Sequence, residues 1–380
     1  MNLEKIQSSP TLEMVNTVLE KQARGEKVVS LAIGEPGFPT PRAIIDCAYR
    51  SMNEGETHYI SSYGLPEVRR AIQRKALRKN GINATVDNTI FITTKLSVYA
   101  SVLSISGERF SVMVPDPGYF YSEPIILLGG DPVRYKLSDD FSLDMDEVKK
   151  NATTDTKAII INTPSNPTGK VLDSGQLKEL FEFCRERRIY IISDEAYEDV
   201  VFQKQHFSVG SFESKPDIVI SLFSLSKSYA MTGWRAGYIV ANENVVYRVY
   251  KFLEHTLSCF PPFIQRASAF ALDNGDEFIN GFREEYTSRR RLLLERMSEI
   301  EMLEPNQIEG SFYSFPRYRS QTRSIDLAKR ILAAQNVAVL PGTSFGPAGE
   351  GHVRISFAGS MEGIEEGMLK LKRFFMEEGE

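Results

Sequence analysis

Short apolar runs rich in β-branched residues alternate along the chain with longer stretches in which apolar residues recur at helical spacing. The strand-like runs lie at 89–93, 110–116, 157–164, 189–195, 217–224 and 236–242. The segment SGQLKELFEFCRERR (174–188) begins with a small polar residue and ends with basic ones, as a helix dipole favours. Apolar strands separated by amphipathic helices predict an α/β fold whose mostly parallel sheet is covered by helices on both faces.

The pattern changes after about residue 280. A long charged helix is predicted at 288–300, with the run Arg289–Arg291 on a solvated face. The segment EGSFYSFP (309–316), a helix around 326–341 and a strand in HVRISFA (352–358) follow. This order of elements predicts a second, smaller α+β domain.

The length of 380 residues also favours two domains, because a single core rarely grows that large. We predict an N-terminal arm over residues 1–40 that is part of the small domain. The large domain is predicted over 41–283, and the small C-terminal domain over 284–380.

Composition narrows the class of protein. The net charge of -5 argues against an obligate nucleic-acid partner, which needs a basic surface. No apolar run approaches the roughly 18 residues of a membrane-spanning helix. Residues 1–15 are polar and lack the apolar segment of a signal peptide. We therefore expect a cytoplasmic protein with neither a membrane nor a nucleic acid as partner.

The cysteines and histidines predict no metal centre. Cys47, Cys184 and Cys259 are odd in number, widely spaced and without a CxxC pair, so we expect free thiols in a reducing compartment. The four histidines have none of the spacings typical of metal ligands.

One candidate for chemistry is SLSKSYAMTGWRAGY (224–238), which follows a predicted strand. A single lysine at a strand end is usually only solvated. Lys227, however, is accompanied by Ser224, Ser226 and Arg235, whose hydroxyl and guanidinium groups are suited to a phosphate dianion. A nucleophilic lysine beside a phosphate site indicates a phosphorylated aldehyde as the partner.

Two more polar positions follow predicted strands. Asp194 comes after the apolar run IYII, where a buried carboxylate needs a cationic partner such as a protonated pyridine nitrogen. A helix N-cap is the alternative interpretation. Asn166 lies in the Pro- and Gly-rich turn NTPSNPTGKV (162–171), which either presents its amide to a ring oxygen or is simply a turn.

These three segments, in this order, resemble the class I/II aminotransferases of pyridoxal phosphate (PLP) fold type I, the aspartate aminotransferase-like group. SLAIGEPGFPTP (30–41), HYISSYGLPEVRRAI (58–72) and PGTSFGPAGEGHVRISFA (341–358) are similar to other segments of the family. The resemblance extends from about residue 11 to 375. It implies an enzyme that moves an amino group from an L-amino acid to a 2-oxo acid, with 2-oxoglutarate as the expected acceptor.

The resemblance also implies a role for each matching residue. Lys227 forms the aldimine with PLP and carries the proton between the substrate Cα and the cofactor C4′. Asp194 pairs with the pyridinium nitrogen in the large, PLP-binding domain. Asn166 and Tyr197 hydrogen-bond the ring oxygen, and both tune the aldimine's pKa.

The remaining implied contacts concern the phosphate, the ring face and the substrate. They are Ser224, Ser226, Arg235, Leu96 and Ser97 on the phosphate, Tyr119 on the ring, Arg354, Gly34 and Asn166 on the substrate carboxylate, and Tyr59 on the phosphate of the neighbouring subunit. The last contact implies a homodimer with shared active sites.

The sequence departs from the family pattern at two places. Lys95 and Leu96 stand where the family has a small pair that caps the phosphate with backbone amides, and only Ser97 matches the next position. Gly37 replaces the usual acidic residue of the N-terminal segment.

Two alternatives to transamination remain open from sequence. A carbon–sulfur β-lyase on the same fold would share the first chemical steps. A PLP-binding regulatory module would usually carry an additional DNA-binding domain, which is not evident in this acidic chain.

Overall fold

Helices and strands alternate along the chain in the computed structural model, which describes residues 3–6 and 10–378. Residues 1–2 and 7–9 of the predicted arm, and 379–380 of the predicted small domain, lie outside the described residues. None of the described helices is both long enough and apolar enough to cross a lipid bilayer.

The α-helices are α1 Pro10–Ala23, α2 Arg42–Asn53, α3 Pro66–Asn80, α4 Thr94–Ile105, α5 Ser122–Leu127, α6 Met145–Asn151, α7 Ser174–Arg187, α8 Leu225–Ser228, α9 Glu243–Thr256, α10 Pro262–Asn274, α11 Asp276–Ser298, α12 Ser324–Gln335 and α13 Met361–Glu378. The strands are β1 Val29–Ser30, β2 Thr89–Phe91, β3 Ser111–Asp116, β4 Asp131–Lys136, β5 Thr156–Asn162, β6 Tyr190–Asp194, β7 Val219–Ser224, β8 Gly237–Val240, β9 Leu303–Glu304, β10 Tyr313–Ser314, β11 Arg317–Tyr318, β12 Val337–Ala338, β13 Leu340–Pro341 and β14 Val353–Ser356.

The central sheet has seven strands in the order β2-β8-β7-β6-β5-β3-β4. All neighbours pair in parallel except β8, which is antiparallel to both β7 and β2. Strands β3, β6 and β7 are buried along almost their whole length because helices cover both faces of the sheet. The predicted mostly parallel, helix-covered sheet is thus confirmed.

The edge strand β4 was not predicted, and its exposure explains why. Five of its six residues are partly buried or exposed, and only Tyr135 is buried, so β4 lacks the continuous apolar run of its neighbours. Its sequence DPVRYK also contains a proline, which an edge strand tolerates.

The carboxyl ends of the parallel strands meet at one edge of this sheet. Asn162 ends β5, Asp194 ends β6 and Ser224 ends β7, and Asn162 lies directly beside Asp194 in register. Ligands of α/β sheets bind at this edge. The three polar segments singled out from the sequence therefore converge there.

Three small sheets lie outside the central one, formed by β10-β14-β13, β1-β12 and β9-β11. A second apolar core joins residues from 29–31 with residues from 286–375, which agrees with an arm that belongs to the small domain. Helix α11, however, continues from Asp276 to Ser298 across the proposed boundary at 283/284, with Gly281 inside it. The exact domain limits stay a prediction.

The predicted solvated face for Arg289–Arg291 is wrong for the first of these arginines. Arg289 is buried, with its Nε donating to Glu285 Oε1 over 3.1 Å and its Nη1 donating to the Ala358 carbonyl. Its guanidinium carbon also lies 4.3 Å from the ring centre of Phe38. The arginine thus ties α11 to the N-terminal arm and to the segment after β14.

A buried ion pair lies on the side of the central sheet where α3 packs. Lys75 pairs with Glu198, and their side chains are 2% and 7% exposed. Lys75 Nζ donates to Asn80 Oδ1 over 2.9 Å and lies 4.4 Å from the ring centre of Phe223. Removing one partner of such a pair leaves an uncompensated buried charge.

We expect Lys75→Ala to lower the free energy of unfolding by about 3–5 kcal/mol, because the Glu198 carboxylate stays buried without its cation. Urea titration monitored by circular dichroism measures the change. Lys149→Ala is the control, because Lys149 is 46% exposed and pairs with Glu179 at the surface. Its loss should be below about 1 kcal/mol. Equal losses in the two variants would contradict the prediction.

Candidate active site

Lys227 lies in the single turn of α8, directly after the carboxyl end of β7. Ser224 caps this turn, with its Oγ accepting the Ser226 N–H over 3.2 Å. Lys227 Nζ donates to the Gly34 carbonyl over 2.8 Å, which brings the N-terminal arm to the lysine. Burial lowers the pKa of Lys227 to about 8, against an opposing effect of the Glu35 carboxylate. At pH 7 about a tenth of this amine is therefore neutral and nucleophilic, far more than for a lysine of ordinary pKa.

Asp194 is buried at the end of β6 and is held by two neutral donors. Its Oδ2 accepts the Tyr121 hydroxyl over 2.8 Å, and its Oδ1 accepts the Ala196 N–H over 3.1 Å. Burial raises the pKa of Asp194 to about 6, although both hydrogen bonds act to lower it. This carboxylate is therefore suited to a cationic ligand group that enters the site.

Asn166 is oriented by hydrogen bonds on both its backbone and its side chain. Its N–H donates to Asn162 Oδ1 over 2.7 Å, and its Oδ1 accepts from Arg354 Nη1 over 3.0 Å. Because the oxygen of the amide faces Arg354, the Nδ2 group remains as a donor on the other side. That orientation matches the predicted contact with a ring oxygen.

Arg354 lies on β14 and is buried between two aromatic rings. Its guanidinium carbon is 4.3 Å from the ring centre of Tyr313 and 5.1 Å from that of Phe345. Nη2 donates to the Ala32 carbonyl, whereas the buried Nε has no hydrogen-bond partner among the described residues. An unpaired buried donor is costly and is satisfied when a carboxylate binds.

Three tyrosines line the space between Lys227 and Arg354. The Tyr197 and Tyr313 hydroxyls are 2.9 Å apart, and both residues are buried. Burial raises the pKa of Tyr119 to about 12, with smaller effects from Tyr313 and Asp194. Their hydroxyls thus remain protonated donors. The predicted site residues Tyr119 and Tyr197 therefore lie with Lys227, Asp194, Asn166 and Arg354.

The predicted phosphate side is formed by α4, α8 and the turn before β8. Arg235 Nη2 donates to Thr93 Oγ1 over 3.1 Å, and Arg235 Nη1 donates to the Thr232 carbonyl over 2.7 Å. Arg235 has a positive φ of 57°, which an arginine rarely adopts. Ser224 and Ser226 lie at the amino end of α8, whereas Thr93 precedes the first residue of α4. The arrangement suits an anion.

Ser97 does not fit the phosphate contact that the sequence implied. Its N–H donates to the Thr93 carbonyl over 2.9 Å as the first bond of α4, and its fully buried hydroxyl donates to the Thr94 carbonyl over 2.5 Å. Leu96 precedes that first bond, so its N–H is among the free donors that a helix start offers. Its side chain packs on the core of the large domain, and Lys95 is exposed.

Tyr59 stands apart from the other predicted residues. Its side chain is 88% exposed and contributes nothing to the site of its own protomer. The proposed contact with a neighbouring subunit stays a prediction.

Sequence reasoning missed Tyr121, Tyr313 and Thr93 as members of the site. Tyr121 is the second tyrosine of PDPGYFY, and only the first was singled out. Tyr313 lies in FYSF, which reads as an ordinary apolar segment. Their hydroxyls meet Asp194 and Tyr197 only through tertiary contacts, so no local pattern identifies them.

Comparison with known proteins agrees with this geometry. Residues 26–371 match the sequence model of the family described as aminotransferase class I and II. The chain is 36% identical to the aspartate aminotransferase of Pyrococcus abyssi, over 97% of this chain and 98% of that relative. It is also 36% identical to aromatic-amino-acid aminotransferase 2 of Thermococcus litoralis, over 97% and 98% of the two chains.

Solved structures of related proteins have the same fold. The aspartate aminotransferase from Thermus thermophilus, solved with maleate, superposes with a TM-score of 0.94 at 31% identity, covering 98% of each chain. The predicted PLP fold type I is therefore confirmed. The chain belongs to the class I and II aminotransferase family.

Proposed function

We propose that this aminotransferase binds PLP at Lys227 and moves an amino group from an L-amino acid to a 2-oxo acid such as 2-oxoglutarate. The observation that carries the proposal is the half-buried Lys227 amine, whose pKa is lowered to about 8 in one site with the buried Asp194 carboxylate. Nothing in the site favours the carbon–sulfur β-lyase alternative, and the relatives described above are named as aminotransferases.

The charges and donors of the site fit PLP. Asp194 lacks a cationic partner close enough to keep its pKa low, and a pyridinium nitrogen would provide one. The Nδ2 group of Asn166 and the hydroxyl of Tyr197 would hold the ring oxygen, with Tyr119 against the ring. Ser224, Ser226, Arg235 and the Leu96 N–H would bind the phosphate.

Bound PLP supplies a sink for the electrons left at the substrate Cα when its proton is removed. Lys227 would hold the cofactor through Nζ, and its neutral amine would be the base that takes the substrate Cα proton and returns it. Arg354 orients the substrate carboxylate, with Nε as the free donor and the Gly34 segment beside it.

The functional unit is proposed to be a cytoplasmic homodimer. The support for the dimer is the resemblance of the segment that contains Tyr59 to the family segment that meets the neighbouring subunit, and Tyr59 is 88% exposed on its own protomer. The support for a reducing compartment is that all three cysteines are free thiols.

Aromatic side chains beside Arg354 favour a donor with a large apolar side chain. Phe345 lies on the guanidinium, Phe120 stacks on Phe345 at 5.8 Å, and Tyr119 lies 4.9 Å from Phe120. Phe345 is fully buried, so a substrate ring would bury apolar surface against an aromatic wall formed by the partly exposed Tyr119 and Phe120.

The Lys227 assignment is tested by covalent labelling. Borohydride treatment of the PLP-loaded protein should fix the cofactor on the peptide that contains Lys227, as located by mass spectrometry. Lys227→Ala should take up no label and lose activity by a factor of about 10³ or more, because both the anchor and the base are gone. The exposed Lys178→Ala serves as the control and should behave as the native protein. Label on another lysine would refute the assignment.

We expect the Asp194 carboxylate to lower the stability of the cofactor-free protein and to strengthen the binding of PLP. In the cofactor-free protein, the carboxylate with a pKa of about 6 instead of 3.8 destabilises the fold above pH 6, and this penalty fades as the pH falls from 6 to 4. Relative to the native protein, the free energy of unfolding of Asp194→Asn should therefore be about 1.5 kcal/mol higher at pH 8 than at pH 5, because the variant has no carboxylate to ionise. The same variant should bind PLP more weakly.

Urea titrations at the two pH values and PLP titrations measure the two effects of this substitution. Asp139→Asn, at an exposed position, is the matched control and should change neither quantity. A stability difference between cofactor-free Asp194→Asn and the native protein that is the same at pH 8 and pH 5 would contradict the prediction.

The donor preference is tested with 2-oxoglutarate as the fixed acceptor. Phenylalanine and tyrosine should show a kcat/KM at least about tenfold above that of alanine, because the added ring would be buried against Tyr119 and Phe120. Phe120→Ala should reduce this ratio with little effect on alanine. Equal values for the three donors would argue against the aromatic wall as a substrate contact.

A further inference from the structure

Tyr313 contacts both Arg354, the proposed substrate clamp, and Tyr197, one of the residues proposed for the cofactor's ring oxygen. It lies on β10, which pairs with β14, so that its neighbour across the sheet is Ser356, two residues from Arg354. Its ring centre lies 4.3 Å from the Arg354 guanidinium carbon, and its hydroxyl lies 2.9 Å from that of Tyr197. One buried side chain thus touches two functional groups with two different parts.

The ring of Tyr313 restricts where the Arg354 guanidinium can lie. Phe345 covers the guanidinium at 5.1 Å, so Arg354 is held by two aromatic side chains. Asn166 and Ala32 hold its terminal nitrogens. The charge of a buried arginine is stabilised by the ring face without an acidic partner that would compete with a substrate carboxylate.

The paired hydroxyls of Tyr197 and Tyr313 have one proton available for a hydrogen bond to a ligand. The Tyr197 and Tyr313 hydroxyls carry two protons, and the hydrogen bond between them uses one. When Tyr197 donates to a ligand, its oxygen accepts the proton of Tyr313. A donor behind Tyr197 makes Tyr197 a stronger donor, because hydrogen bonds in a chain polarise one another.

Gly34 leaves the space that the Tyr313 hydroxyl needs. A Cβ on Gly34 would lie 1.9 Å from the Tyr313 oxygen, closer than any real contact, and the Gly34 carbonyl accepts from Lys227. The hydroxyl pair therefore lies against the segment that meets the catalytic lysine. This packing fixes the Tyr313 oxygen toward Tyr197.

We propose that Tyr313 is a positioning residue that acts on the substrate through Arg354 and on the cofactor through Tyr197. This inference rests on the proposed function. Loss of the hydroxyl affects the cofactor side alone, whereas loss of the ring affects the carboxylate side as well. A residue that only fills the core would produce neither separate effect.

The cofactor side is tested with Tyr313→Phe. A hydrogen bond to the ring oxygen stabilises negative charge there, so its weakening should move the midpoint of the pH titration of the visible PLP absorbance upward by about 0.5 to 1 pH unit. In a Tyr197→Phe background, the same substitution should cause no shift, because Tyr313 acts through Tyr197. An unchanged midpoint in the single variant, or an equal shift in both backgrounds, would overturn the relay.

The substrate side is tested with the affinity for 3-phenylpropionate, an aromatic carboxylate that has no amino group to react. Tyr313→Phe keeps the ring and should bind it within about twofold of the native protein. Tyr313→Leu removes the ring face and should bind it about threefold to tenfold more weakly. Equal affinity for the Leu variant and the native protein would overturn the support of Arg354.

A matched control and the native protein separate the possible failures. Tyr135→Phe removes another buried hydroxyl, which donates to the Ile160 carbonyl over 2.8 Å, and should change neither the titration nor the affinity. If the Leu variant does not fold, the comparison of Tyr313→Phe in the two backgrounds still decides. If the native protein binds no PLP, the proposed function fails and the inference falls with it. If the native protein binds PLP and titrates normally, but the Tyr313 variants change neither the midpoint nor the affinity, the inference is refuted and the proposed function stands.

Discussion

Desolvation of charged groups at one edge of the central sheet is the constraint on which the site depends. Asp194, Lys227 and Arg354 are brought together there, yet none of them neutralises another by direct contact. Asp194 is held by Tyr121 and a backbone amide, and Lys227 by a backbone carbonyl. Burial therefore raises the pKa of Asp194 and lowers the pKa of Lys227, which favours the neutral form of each group. A fully paired site would be more stable, but it would have no charge left for a ligand.

The rest of the fold offsets the free-energy cost of burying these charged groups. The buried strands and the helices on both faces provide a continuous apolar core beneath the site. Elsewhere in the interior, the buried Lys75 and Glu198 neutralise each other as an ion pair. The contacts above the site come from distant parts of the chain, with Gly34 in the arm and Arg354 on β14. The site therefore includes residues from both ends of the chain as well as from the central sheet.

The sequence was sufficient for features that follow from local pattern or from sheet geometry. Apolar runs located six strands of the central sheet, and Lys227, Asp194 and Asn166 converge because they follow parallel strands. The edge strand β4, the burial of Arg289 and the exclusion of Ser97 depend on what packs nearby. Tyr121 and Tyr313 were missed for the same reason. The sequence around a tyrosine in an apolar segment does not indicate which carboxylate or hydroxyl it will contact in the fold.

The phosphate side follows the same electrostatic logic as Asp194, with the sign reversed. Lys95 and Leu96 replace a small pair, but the anion contact of a helix start is made by backbone N–H groups, which every residue except proline has. The Leu96 side chain packs on the core, and Lys95 is exposed, so neither fills the anion site. A cation in the first turn of α4 costs about 0.3–1 kcal/mol against the helix dipole. A bound phosphate dianion would offset that cost, just as a pyridinium would offset the burial of Asp194. The two ends of the site are thus complementary to a ligand that is anionic at one end and cationic at the other.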